Sequence, residues 1–189
     1  FRSLDAEDFL STLAGEQALI LSENLQSREA FAQSDHLLVE TAALDVKAER
    51  SRRALEKAIY RGQLRIHAYN ALRDATYLDE AEDLATQAKA MSDGLPESVR
   101  AAHSASCLQL EAQVHAARAQ KAAWDQDIDA AALHSARFRA VNDEALKLAV
   151  AFERLPSAAG CAMMAGIVEL NAANDAWRAF LSLSTQDFD

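Results

Sequence analysis

Helix breakers are nearly absent from this chain, and that scarcity limits the fold more than any other feature. Across 189 residues there are five glycines and two prolines. A backbone with so few places to turn must form long helices, because glycine and proline are the residues that end them. The strongest punctuation is Asp93-Gly94-Leu95-Pro96. Glycine suits a left-handed position just past a helix end, and proline suits the first turn of the next helix.

Half of the residues are apolar, only 6% are aromatic, and 25% are charged. Alanine supplies much of the apolar share, which fits helices whose backbones approach closely. The fold class is all-α, in a single domain spanning residues 1–189.

Apolar residues recur at alternating three- and four-residue steps. From a Ser3 cap the first seam runs through Leu10, Leu13, Gln17, Ile20, Asn24, Ser27, Phe31, Ser34 and Leu38. Thr41, Asp45 and Arg52 would continue it, but they are too polar for a core, so the chain is expected to turn back between about Asp45 and Ser51. The stretch Ile59 to Met91 reads as one amphipathic helix with a seam from Leu64 to Ala88. Gly62 within it marks a kink or a close approach. A third seam from Val99 through Trp124 to Phe138 keeps constant phase, which predicts one helix through Trp124. Asn142, followed by Asp143 and Glu144, reads as an N-cap.

These boundaries, near residues 47, 94 and 142, predict an elongated antiparallel bundle of four arms. Each arm would hold about 43 residues and run about 65 Å, with Pro156 kinking the fourth. The alternative is a long three-helix bundle with a helix from Glu97 to Leu155 and a short fourth helix.

Net charge is −10 and the isoelectric point is about 4.9. Phosphate backbones and anionic lipid surfaces are bound through clustered Lys and Arg, so nucleic acid is excluded as a partner and a membrane-surface role is disfavoured. Arg50, Arg52 and Arg53 lie between Glu49 and Glu56, the pattern of a salt-bridged helix face. The acids Asp79, Glu80, Glu82 and Asp83 read as a solvated face. No window is apolar enough to span a bilayer. Phe1 in place of a starting Met fits a processed or excised piece.

Nucleophile elbows, phosphate loops, dinucleotide motifs and zinc-protease motifs are all missing, so no enzyme activity and no cofactor are expected. The two cysteines, Cys107 and Cys161, are read as separately buried thiols, with a disulfide as the alternative. His103, Cys107, Glu111 and His115 recur every four residues on one stripe. Adjacent members could share a metal only if His36, Glu40, His67 or His134 closed the site from another helix. His103 and Cys107 are therefore weak metal candidates. Gln17, Asn24 and Arg28 on the first arm can face Arg61, Arg65 and Tyr69 on the second. Bundles build ligand sites from such facing side chains, and arginine forks suit carboxylates. The candidate ligand residues are Arg28, Arg61, Arg65 and Tyr69; the alternative is that the arginines pair with surface acids.

The pair Arg73-Asp74, then Tyr77-Leu78, then an Ala/Glu/Leu run to Met91, resembles the second helix of extracytoplasmic sensor domains of bacterial chemoreceptors and sensor histidine kinases. Arg61 through Ala71 fits the same pattern, and the likeness covers about residues 55 to 150. Leu13 to Ser22 resembles a motif of pilus-chemotaxis and nitrate-type sensors, but Ala18 stands where that motif has Arg, and no binding residue carries over. The resemblance implies a periplasmic, non-enzymatic sensor that binds a small molecule, dimerises through long helices and signals by helix displacement to membrane segments outside this sequence. Two other classes remain open: a helical surface-coat or receptor protein, favoured if Glu97 to Leu155 is one unbroken helix, and a metal or haem carrier.

Overall fold

A computed structural model describes residue 13, residues 27–152 and residues 159–169. The described residues are helical and contain no strand. In chain order the helices are α1 (Arg28–Lys47), α2 (Ser51–Leu72), α3 (Thr76–Asp93), α4 (Glu97–Trp124) and α5 (Ile128–Ala151), with residues 159–169 forming α6. The all-α expectation holds. The four arms of about 43 residues do not, since α1 to α5 contain between 18 and 28 residues each.

Three-residue turns join α1 through α5. The first falls at Ala48, Glu49 and Arg50, inside the expected window, where Arg50 N–H donates to Asp45 O at 2.7 Å. The seam before it does not end for want of apolar residues. Thr41 and Asp45 are buried along with Phe31, Ser34 and Leu38. Both are satisfied there: the Thr41 hydroxyl donates to Leu37 O at 2.7 Å, and Asp45 pairs with Lys57 and, at 3.6 Å, with Arg50. Polarity on a seam therefore did not mean exposure. At its other end α1 is capped by Ser27, whose hydroxyl accepts from Ala30 N–H at 3.2 Å. A helix running unbroken through Ser27 is thereby overturned; Ser3, Gln17 and Asn24 lie outside the described residues.

The stretch Ile59 to Met91 is two helices, not one. The chain folds back at Arg73, which takes a left-handed conformation with φ 59°. Asp74 then accepts from Thr76 N–H at 3.2 Å and from the Thr76 hydroxyl at 2.7 Å, which starts α3. The Asp93-Gly94-Leu95-Pro96 break stands, although Gly94 has φ −78° and so is not left-handed. The helix expected through Trp124 ends there instead. Gln126 has φ 60°, and Asp127 caps α5 by accepting from Ala130 N–H at 3.0 Å. Glu97 to Leu155 is accordingly not one unbroken helix. Asn142 caps nothing: it is buried within α5 and donates to Cys161 O at 3.1 Å. Pro156 lies outside the described residues.

The helix at the centre is α2, which packs against α1, α3 and α4, while α5 packs against α4. One apolar cluster joins α2, α3 and α4 through Leu55, Ile59, Leu78, Ala81, Leu110 and Val114. A smaller one joins α1 to α2 through Phe31, Leu38, Leu64 and Ala68. Gly62 marks a close approach: a Cβ there would stand 2.6 Å from Leu110 Cδ2. Gly62 lies against Leu110 and, seven residues on, Tyr69 stacks on Trp124, so α2 and α4 run in the same direction. Among the described residues no helix is long and apolar enough to cross a membrane.

Candidate functional site

The polar front of α2 faces α1, and there two arginines one turn apart converge on one acid. Arg61 Nε donates to Asp35 Oδ1 at 2.8 Å, and Arg65 Nη2 donates to Asp35 Oδ2 at 2.9 Å. Burial alone would raise the Asp35 pKa, but the hydrogen bonds and charges of Arg61 and Arg65 outweigh it and hold the carboxyl below its ordinary range. Arg65 also forms an ion pair with Glu80 of α3. One guanidinium thus ties three helices together.

Beside Arg65 opens a cleft of about 340 Å³ between α1, α2 and α3, lined among others by Arg28, Phe31, Asp35, His36, Tyr77 and Glu80. Its volume lies at the lower end of small-molecule sites. Two guanidinium groups and two carboxylates line a cleft that also carries the apolar faces of Phe31 and Tyr77. The Arg65 guanidinium is 6.0 Å from the centre of the Tyr77 ring. Arg65 Nε is buried and is the atom that makes the ion pair with Glu80.

Of the four residues expected to converge, the structure brings Arg28 and Arg65 to one cleft. Arg28 is mostly exposed and donates to Asp74 at 3.1 Å. Arg61 stands a turn away, engaged with Asp35. Tyr69, one turn beyond Arg65, is turned to α4 instead, only 2% exposed, with its ring centre 6.4 Å from that of Trp124. Asp35, Tyr77 and Glu80 are among the lining residues that sequence reasoning missed. A signal for Asp35 existed, since it follows the seam residue Ser34 and two arginines four apart on one face call for an acid opposite. The α3 acids Asp79, Glu80, Glu82 and Asp83 are exposed, as the solvated reading had it, and three of them also form ion pairs across helices: Glu80 meets Arg65, and Asp79 and Glu82 both meet Arg118 of α4.

The four-residue stripe on α4 divides. His103 and Cys107 are core residues, each 4% exposed. Cys107 donates to Ala88 O at 3.7 Å, and burial pushes its thiol up to about 11. A thiol so protonated is a poor soft-metal ligand. Cys107 and Cys161 are both free and buried. Farther along, His115 does meet His134 of α5, with Nδ1 atoms 3.4 Å apart. Burial is the main cause that lowers both pKa values, helped by the pair's own repulsion at His115 and by Arg118 and Arg137 at His134. No group of three or more His, Cys, Asp or Glu able to hold a metal occurs among the described residues. No protein-family model, curated protein or solved structure matches the chain.

Proposed function

We propose that this chain is a non-enzymatic sensor domain that takes a small carboxylate-bearing ligand into the cleft between α1, α2 and α3. The observation that carries this reading is Arg65. It borders the cleft, bonds Asp35 of α1 and, through its buried Nε, pairs with Glu80 of α3. A ligand carboxylate that takes up this guanidinium competes with both acids at once, so binding and the packing of three helices are linked. Arg28 can supply a second cation at the same wall. The balanced charges favour a ligand that carries an amine as well, since Asp35 and Glu80 then keep a partner.

Ligand binding shifts an existing equilibrium between two packings by its differential affinity for them. In this reading the domain works as an extracytoplasmic homodimer and passes the displacement to membrane-spanning segments of a longer protein. The surface-coat alternative loses the unbroken helix that would have favoured it, and His103 and Cys107 are too enclosed to favour a metal or haem carrier.

A thermal-shift screen of small acids, amines and amino acids tests the reading. A ligand present at a hundredfold its dissociation constant stabilises the native state by about 2.7 kcal/mol, and that shift should vanish in Arg65→Ala. An Arg65→Ala protein that keeps its helical circular dichroism and still responds to the same ligand would sink the proposal.

A further inference from the structure

A second cleft, of about 450 Å³, lies on the other side of α2, between α2, α4 and α6. Its chemistry is unlike that of the first. Among the described residues none of its lining side chains is Asp, Glu, Lys or Arg, in a chain of which 25% is charged. Four carboxamides line it instead. Gln63 and Asn70 stand seven residues apart on α2, and Gln113 and Gln120 stand seven apart on α4.

Seven residues are about two helical turns, so each pair shares a face and its members lie about 10 Å apart along the axis. Because α2 and α4 run in the same direction, with Gly62 against Leu110, Gln63 and Gln113 form one level of the cleft and Asn70 and Gln120 the next, the members of each pair about 3 Å out of register along the axis. The two levels bracket an apolar floor of Ile66 and Ala117, both buried. The short side chain of Ala116 leaves the space open. From α6, Ile167 closes one wall while remaining 43% exposed. None of the four carboxamides makes a hydrogen bond to the rest of the protein among the described residues.

We propose that this cleft is a binding site for a small, uncharged, planar heterocycle with both hydrogen-bond donors and acceptors, the chemistry of a nucleobase or of nicotinamide. A carboxamide offers two donors and an acceptor, so facing carboxamides match the edge of such a ring in either orientation. The apolar floor and Ile167 cover its faces. The exposed imidazole of His67 is the one basic group in the described lining, so a charged ligand would lose water and gain no buried counter-charge, which costs it the site. The proposal does not rest on the α1–α3 cleft, which recognises charge.

The test follows ¹⁵N-labelled protein by NMR during titration with nicotinamide, adenine and uracil, and with nicotinate as the charged analogue of nicotinamide. At least one neutral ring should give saturable shifts in the side-chain amide resonances of Gln63, Asn70, Gln113 and Gln120, and nicotinate should give none. Ala116→Phe, which fills the cleft, should abolish the shifts. Gln113→Leu, which keeps the shape and should leave the fold intact, should weaken binding about five- to tenfold, the worth of one hydrogen bond. Arg65→Ala should leave them unchanged, so the two sites can fail separately. Silence from all three neutral rings, equal binding of nicotinate, binding that survives both cleft variants, or shifts confined to Arg28 and Arg65 would each overturn the proposal.

Discussion

On the face of α2 turned to α1, Lys57, Arg61 and Arg65 reach acids on the neighbouring helix. On the face turned to α4, Gly62 lies against Leu110, and the contact is one of shape. The first interface has a small apolar cluster, with Phe31 and Leu38 as its α1 members of full burial. The second belongs to the larger cluster that also takes in α3. The same helix is therefore held on one side by charge and on the other by fit. Charge pairs respond to pH and to competing ions, whereas packing does not. The side of α2 able to answer a charged ligand is thus the α1 side, and the α4 side is the frame against which α1 can move.

The contrast breaks first at Asp45. Its carboxylate is fully buried and meets both Lys57 and Arg50. Removing one member of a buried pair leaves the other charge in a medium that solvates it poorly, so Asp45→Ala should cost about 3–5 kcal/mol in urea denaturation. Replacing both partners by apolar residues, Asp45→Leu with Lys57→Met, should recover most of that loss. A single-variant cost below about 1 kcal/mol would mean that the cluster does not hold α1 to α2.

On the α4 side the matching change is Gly62→Ala. Alanine is the better helix former by about 1 kcal/mol, yet its methyl would meet Leu110, which has no exposed surface into which to retreat. Overpacking of this kind costs about 1–3 kcal/mol, so the variant should be destabilised despite its propensity. Leu110→Ala alone should cost about 2–5 kcal/mol. Combined with Gly62→Ala it should cost less than the sum, because the new methyl enters the space that leucine leaves. Strict additivity in that double-mutant cycle would show that the two residues are not in contact.

These two faces were not equally legible in the sequence. Gly62 announced itself, because a glycine inside a helical pattern needs a reason. Asp45 was misread: polarity on a seam implied a surface, when a basic residue from the next helix made burial tolerable. The helix breaks divide in the same way. Asp93 to Pro96 contains residues that cannot continue a helix, so it was visible. The turns at Arg73 and Gln126 use residues with positive φ that are not glycine, and alanine-rich seams kept their phase across both. The usable signals were Asp74 and Asp127, which accept backbone N–H bonds where α3 and α5 begin. At Arg73 the strained backbone is held from outside, with the guanidinium 4.0 Å from the centre of the Trp124 ring. A contact between residues so distant in sequence leaves no local pattern. The candidate site was half legible for the same reason: Arg28 and Arg65 stood out as cations on a seam, but which acids would claim them depended on a pairing of three helices.

The smallest effect, and the one nearest to function, concerns Asp35. Arg61 and Arg65 hold its pKa below the ordinary value of 3.8 despite burial. A carboxylate depressed in the folded state contributes stability that is complete above the unfolded value and is lost as the pH falls through the folded one. Its contribution should therefore be constant near neutrality and decline only below about 3.8. Asp35→Asn should lower stability at neutral pH and flatten the acid limb of the stability curve. Amide hydrogen exchange locates the effect. As the pH drops through this range, protection in α1 should fall relative to α4, after correction for the intrinsic pH dependence of exchange, and Asp35→Asn should show that loosening already at neutral pH. Equal loss of protection in α1 and α4 would mean that α1 does not move independently on α2, and a ligand at Arg65 would then have no separate element to displace.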